Sequence, residues 1–253
     1  ASKPDIAEAN VKPETRRAIE RLAGDDTAKA LIVFINSPGG TTVGGEALYR
    51  SIRTVAEDRP VVAVIGTLAT SAGYMVALAA DHIVAPETSI TGSIGVLLQA
   101  TEFTGLLERL GIATVTIKST PLKATPSPLE VLTPEARAAA QSVVDDVYQW
   151  FVDLFAERRG LTREVALQLA DGRVFTGRQA LAGRMIDAVG SEAEALIWLA
   201  TARDIDANLP VRDIIERHDG FSVFDILSSL SRKTLFSERL RLDGLISVWQ
   251  PDR

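Results

Sequence analysis

The run VVAVIGTLATSAGYMVALAA, residues 61–80, carries no charged side chain. Its length alone would allow a membrane span. Its composition points elsewhere. Val61, Val62, Val64 and Ile65 are β-branched and are bounded by Pro60 and Gly66. That is a short buried strand. Small residues and Gly73 follow, then an apolar stretch from Tyr74 to Ala80 with helical character. A span must be continuous helix in lipid. The sequence instead predicts a buried strand, a tight turn and a buried helix, with Ser71 at the junction.

Working outward, the same alternation recurs. Upstream, Pro13 opens a helix with an apolar stripe at Ala18, Ile19 and Leu22. Leu31 to Ile35 reads as a strand ending in Asn36-Ser37-Pro38-Gly39-Gly40, a turn that cannot extend a strand. Glu46 to Ala56 is the next helix. Downstream, Ile83 to Ala85 and Ile94 to Leu98 read as strands around the turn Thr91-Gly92-Ser93. Phe103 to Leu110 is helical and closed by Gly111, and Ala113 to Ile117 reads as a further strand. Strands alternating with helices predict an α/β fold with a mostly parallel sheet. Thr133 and Pro134 open a long helix with Val143, Val144, Val147, Phe151, Leu154 and Phe155 on one face and Gly160 at its end. Thr162 and Thr176 read as caps of two short helices, and Ser191 with Glu194 as a capping box.

After about residue 205 the pattern weakens. We expect one domain over residues 1–205 and an extension over 206–253. Phe221, Val223, Phe224, Ile226, Leu227 and Leu230 form an apolar cluster there, suited to docking on a neighbouring subunit.

Composition narrows the function. Of 253 residues, 46% are hydrophobic and 24% charged, which suits a globular chain with a sizeable core. The net charge of −6 argues against a nucleic-acid partner, which needs a basic patch. With no cysteine and only His82 and His218, thiol chemistry is excluded and a histidine-rich zinc site is disfavoured. No cofactor is implied.

Three segments converge at the carboxyl ends of parallel strands, where α/β sites are built. In the first, Asn36 to Gly40, tandem glycines after a buried strand expose backbone N–H groups to a developing oxyanion. A lone Pro-Gly-Gly is usually just an ordinary turn. In the second, Thr70 to Tyr74, Ser71 opens a helix among small residues, where the helix start favours an anionic intermediate. In isolation such a serine is an N-cap. The third runs from Ile117 to Ala124. A serine nucleophile needs a base. His82 follows the helix after Ser71, away from its N-terminal end, and His218 lies in the weakly patterned tail. A lysine serves if burial lowers its pKa. Lys123 lies among Pro121, Leu122, Ala124 and Pro126, an apolar setting, and Lys118 at a strand end is the alternative. Either lysine taken alone is a common surface charge.

Taken in order, Ile35 to Gly40, Ser71-Ala72-Gly73-Tyr74, Thr91 to Val96, Ile117 to Lys123, and Asp171 to Gly177 with Gln179-Ala180 resemble the signal peptide peptidase A (protease IV) family. The resemblance covers roughly residues 15–200. It implies a crotonase-like (Clp protease-like) fold and a Ser/Lys dyad. The family's spacing places the base at Lys123 rather than Lys118. Ser93 matches a serine that orients the lysine, and Gly40 and Ala72 match the oxyanion-hole donors. Asp81 and Arg173 match family positions and read as structural. The resemblance further implies cleavage of released signal peptides, a ring-like homo-oligomer, and a place on the outer, periplasmic side of the bacterial inner membrane.

Two departures stand out. The family has Ser-Gly-Gly-Tyr where this chain has Ser71-Ala72-Gly73-Tyr74, and a methyl at Ala72 is expected to narrow the cleft. Family members also carry an N-terminal membrane anchor and an initial strand. This chain opens in polar residues just before its first helix, as a truncated or processed soluble product would. Two other functions fit the same superfold: an acyl-CoA hydratase or isomerase, and an inactive homologue that binds peptides.

Overall fold

The structure is a computed structural model and describes residues 13–214. His218 and the apolar cluster from Phe221 to Leu230 lie outside the described residues. Two compact units emerge: one comprises the described residues up to Ser93 and from Arg173 onward, the other Ile94–Gly172.

The first unit is an α/β layer structure. Helix α1 (Pro13–Ala23) leads to strand β1 (Leu31–Ser37), then α2 (Thr42–Ala56), β2 (Val61–Thr70), α3 (Ala72–Ala77), β3 (His82–Ala85) and β4 (Ile90–Gly92). The chain returns through β5 (Val174–Thr176), α7 (Gly177–Ala182), β6 (Ala188–Val189) and α8 (Glu192–Arg203). Residues 61–80 are thus a strand, a turn and a helix, and no described helix is long and apolar enough to cross a membrane.

The sheet is mixed and curled. Among the described residues, four pairings are parallel, β1 with β2, β2 with β3, β2 with β4, and β3 with β6; β4 with β5 is antiparallel. Strand β2 does the curling. Its first half pairs with β3 through Val62, Ala63 and Val64, and its second half with β4 through Leu68, Ala69 and Thr70. Between the halves, β1 and β2 slip in register: Ile35 faces Ile65, yet Ser37 faces Ala69. Three residues of β2 therefore oppose one of β1, a bulge that bends the strand. The Leu68 N–H, displaced from the ladder, donates to Asn36 Oδ1 at 3.2 Å. A β-carbon on Gly66 would meet the Phe34 ring at 2.7 Å, so the bulge needs glycine there.

Alternation along β2 builds the core. Val62 and Val64 pack with Ile32, Val84 and, from α8, Ala195 and Leu199. Val61, Ala63 and Ile65 are fully buried on the opposite face. Each such valine or isoleucine contributes about 1.5–3 kcal/mol by leaving water. Asp81 ties down the start of β2: it accepts from Val61 N–H at 3.0 Å and from Arg53 at 3.3 Å.

The second unit holds α4 (Thr104–Arg109), α5 (Pro134–Arg159) and α6 (Arg163–Leu169). The expected caps are present: Thr133 accepts from Ala136 N–H, Thr162 from Val165 N–H, and Gly160 ends α5 at φ +58°. The expected strands over 94–98 and 113–117 are not formed. A strand is defined by its ladder, and these segments have no ladder partner among the described residues. Val115 and Ile117 stand 87% and 94% exposed. On α5 the apolar face is buried only at its later turns, at Phe151, Leu154 and Phe155, while Val143 is 59% exposed.

Candidate active site

The junction of β2 and α3 is where the local rules are broken. Among the described residues, five helices start with a Thr or Ser whose hydroxyl accepts from a first-turn N–H: Thr41 for α2, Thr133 for α5, Thr162 for α6, Thr176 for α7 and Ser191 for α8. Ser71 occupies the same position before α3 and makes no such bond. Its backbone sits at φ +53°, ψ −122°, a region that L residues avoid. A conformation of this kind costs about 1–3 kcal/mol and persists only where the surroundings over-determine it.

The surroundings do so. Ser71 N–H donates to Gly92 C=O at 2.8 Å, and Ser71 C=O accepts from Met75 N–H at 3.0 Å. Tyr74 is fully buried, and its hydroxyl donates to Met185 C=O at 2.7 Å, which anchors α3. Gly73 lies so close to β1 that a β-carbon would reach Ser37 C=O at 2.9 Å.

The turn after β1 lies against this serine. Thr70 Oγ1 donates to Pro38 C=O at 2.7 Å, and Gly39 N–H donates to Ser37 Oγ at 3.2 Å. Gly39 has φ +121°, and a β-carbon there would lie 2.9 Å from Ser71 Cβ and 3.4 Å from Ser71 Oγ. Pro-Gly-Gly is therefore a close-approach turn beside the hydroxyl. Among the described residues, the backbone N–H groups of Gly40 and Ala72 have no acceptor.

Ala72 corrects one expectation. Its methyl does not narrow a cleft: it is 7% exposed and faces α2, where a β-carbon on Gly45 would meet it at 3.0 Å. The alanine is accommodated by a glycine on the neighbouring helix.

Ser93 comes next to Ser71 through the sheet. Thr70 pairs with Gly92, so the two serines follow paired residues at the carboxyl ends of adjacent parallel strands. Ser93 also has positive φ, +52°, and its N–H donates to Arg173 C=O at 2.8 Å. His82 is at the other end of the sheet. It opens β3 opposite Val62, on the order of 25–30 Å along β2 from Ser71. There it stacks on Trp198 at 4.6 Å between ring centres, 3.9 Å from Asp187.

The two lysines belong to the second unit and differ in their surroundings. Lys118 is largely buried and forms an ion pair with Glu130; its hydrogen bond, with help from Thr116, holds the Glu130 carboxyl below the usual range. Lys123 lies in a turn and is exposed, with its own N–H on Thr120 C=O at 3.1 Å. The apolar shielding expected from Pro121, Leu122, Ala124 and Pro126 is absent on the single chain, because Pro121, Leu122 and Ala124 are themselves exposed. Among the described residues, no group of acidic and histidine side chains is arranged to hold a metal ion.

A strained serine on a sharp strand-to-helix turn, above the carboxyl edge of an α/β sheet, is the local geometry with which hydrolases present a nucleophile. Comparison with known proteins gives the same class: residues 53–206 match peptidase family S49, and the chain belongs to that family. It is 40% identical over 187 residues to a chain from Synechocystis sp. named as a protease, covering 74% of this chain and 68% of that one. A Methanocaldococcus jannaschii chain named as a protease is 37% identical over 178 residues, 70% of this chain and 57% of its own length. An Enterococcus faecium chain named as signal peptide peptidase SppA is 31% identical over 179 residues, 70% of this chain and 52% of its own. The chain thus spans little more than half the length of the last two.

Proposed function

We propose that this peptidase hydrolyses released signal peptides, or other apolar membrane-associated peptides, through a Ser/Lys dyad on a crotonase-like fold. The carrying observation is the state of Ser71: held at φ +53° with its hydroxyl free of capping duty. Ser71 Oγ attacks the scissile carbonyl carbon while its proton passes to the neutral amine of Lys123. The N–H groups of Gly40 and Ala72 receive the oxyanion. The lysine then protonates the leaving amine, and water, deprotonated by the same lysine, cleaves the acyl-enzyme. Ser93 accepts the role of orienting the lysine. The engagement of Lys118 with Glu130 favours Lys123 as the base.

Lys123 is exposed on the single chain, and a neutral amine at working pH needs shielding from water. A ring-like homo-oligomer, with residues 206–253 docking between subunits, supplies that cover together with the bound peptide. An N-terminal anchor and a site on the outer face of the bacterial inner membrane complete the reading.

The test is covalent. A fluorophosphonate should label the assembled protein at Ser71, and cleavage of an apolar signal peptide should fall about 10⁴-fold or more in both Ser71→Ala and Lys123→Met. Lys118→Met should retain activity. Lack of labelling at Ser71, with the assembly intact, would refute the nucleophile and favour a hydratase of the same superfold.

A further inference from the structure

One peptide group touches both serines. The bond between Gly92 and Ser93 has its C=O on Ser71 N–H at 2.8 Å and its N–H on Arg173 C=O at 2.8 Å. It is therefore a single rigid plate. It sits between the nucleophile's backbone on one side and the strand leading into β5 on the other. Rotating that plate would break both bonds at once and release Ser71 from its strained conformation.

Nothing in Gly92 itself prevents the rotation. The plate turns about the Gly92 Cα–C bond, and Gly92, at φ +88°, has no β-carbon of its own to restrict that turn. The constraint comes from outside. A β-carbon on Gly92 would meet Phe175 Cδ2 at 2.8 Å, Arg173 C=O at 3.1 Å and Phe175 Cε2 at 3.3 Å. The edge of the Phe175 ring thus occupies the space over the Gly92 α-carbon that a side chain would fill. Phe175 is itself fixed, because β5 pairs with β4 in the register Thr91 to Phe175 and Gly92 to Val174. The Thr91 hydroxyl secures β4 from the other side, donating to Ala69 C=O at 2.8 Å.

We infer that Phe175 is a positioning residue for the nucleophile: its ring clamps Gly92, and the clamped Gly92–Ser93 peptide holds Ser71 at positive φ and Ser93 beside it. This rests on the reading of Ser71 as nucleophile. Phe175 touches no reacting atom. It fixes the plate on which both serine backbones are registered.

The test separates geometry from chemistry. Phe175→Ala opens space beside Gly92, and Phe175→Leu refills much of it. Hydrogen exchange by mass spectrometry reads the plate directly, through the amides of Ser71 and Ser93. In Phe175→Ala, fragments spanning residues 69–75 and 91–95 should exchange at least about tenfold faster, with fragments from α2 and α8 unchanged. Fluorophosphonate labelling of Ser71 and kcat should both fall about 10- to 100-fold with KM little altered, since a displaced nucleophile loses rate rather than binding. Phe175→Leu should recover most of each effect. It also stands in if the alanine variant fails to fold, the expected result then being smaller shifts in the same direction.

Unchanged exchange at residues 69–75 in a folded variant would overturn the inference. Faster exchange with undiminished labelling would do so as well. Absence of labelling in the unsubstituted protein would count against the peptidase reading, while the exchange comparison still decides whether Phe175 holds the plate.

Discussion

Replacing Ser71, the proposed nucleophile, should make this protein more stable, provided the replacement is glycine. Ser71 carries two features that matter for stability: a backbone at φ +53°, ψ −122°, and a hydroxyl with no bond to the helix it precedes. Removing the hydroxyl alone, in Ser71→Ala, leaves the backbone strain in place and deletes no capping bond. Its effect should stay within about 0.5 kcal/mol. Ser71→Gly removes the clash of the β-carbon, which accounts for about 1–3 kcal/mol. Against this stands the extra freedom of glycine in the unfolded chain, about 0.5–1 kcal/mol. The net gain is about 1 kcal/mol, or about 2–4 °C in Tm for a chain of this size. Thermal unfolding followed by circular dichroism, at equal protein concentration so that assembly contributes equally, reads the difference. The informative quantity is the gap between the glycine and alanine variants, because both lack the serine hydroxyl. A glycine variant that melts at or below the alanine variant would show that the turn at residue 71 holds no strain.

Other consequences follow from the same neighbourhood. Tyr74→Phe removes the donor to buried Met185 C=O and should destabilise the fold by about 1–3 kcal/mol, measured by urea unfolding. Gly39→Ala forces a β-carbon to 2.9 Å from Ser71 Cβ at φ +121°; it should lose about 2 kcal/mol or more and slow fluorophosphonate labelling. Glu130 has its pKa lowered from an ordinary 4.5, first by the hydrogen bond from Lys118. A depressed carboxyl contributes stability that is complete above its unfolded pKa and lost as pH falls through the folded one. Glu130→Gln should therefore flatten the acid limb of the stability profile below about pH 4.5, and an unaltered limb would refute the pairing.

How much of this the sequence could disclose depended on how local each cause was. The strand–turn–helix at residues 61–80 was legible because β-branched residues, glycine and small residues change over within one short segment. The caps at Thr133, Thr162, Thr176 and Ser191 were legible for the same reason. Residues 113–117 have the composition of a strand, but a ladder depends on a partner elsewhere in the chain, and β composition cannot supply it. Strand β5 was hidden inside Asp171 to Gly177, too short to show alternation. At the site, the position of Ser71 was readable and its refusal to cap was not, since φ depends on the hydrogen bond that Ser71 N–H donates to Gly92 C=O. The direction of the Ala72 methyl depends on Gly45, and the capture of Lys118 depends on Glu130. Both are side-chain facts that a linear pattern does not carry. Phe175 gave no chemical signal at all, being an apolar residue whose contribution is to fill a space.

The bulge in β2 divides one strand into two regions with separate obligations. Val61 to Ile65 answers to the hydrophobic interior, and Leu68 to Thr70 answers to the turn that presents Ser71. A slip or repacking in the first region need not be transmitted to the second, because the looped-out residues between them can absorb a change of register, and the Asn36 amide re-fastens the strand beyond it. The site is thereby insulated from the interior that supports it. Substitutions among the core valines can adjust stability over a wide range while the turn keeps its shape, whereas Gly66 and Asn36, which carry no chemistry, are the positions where that independence would be lost.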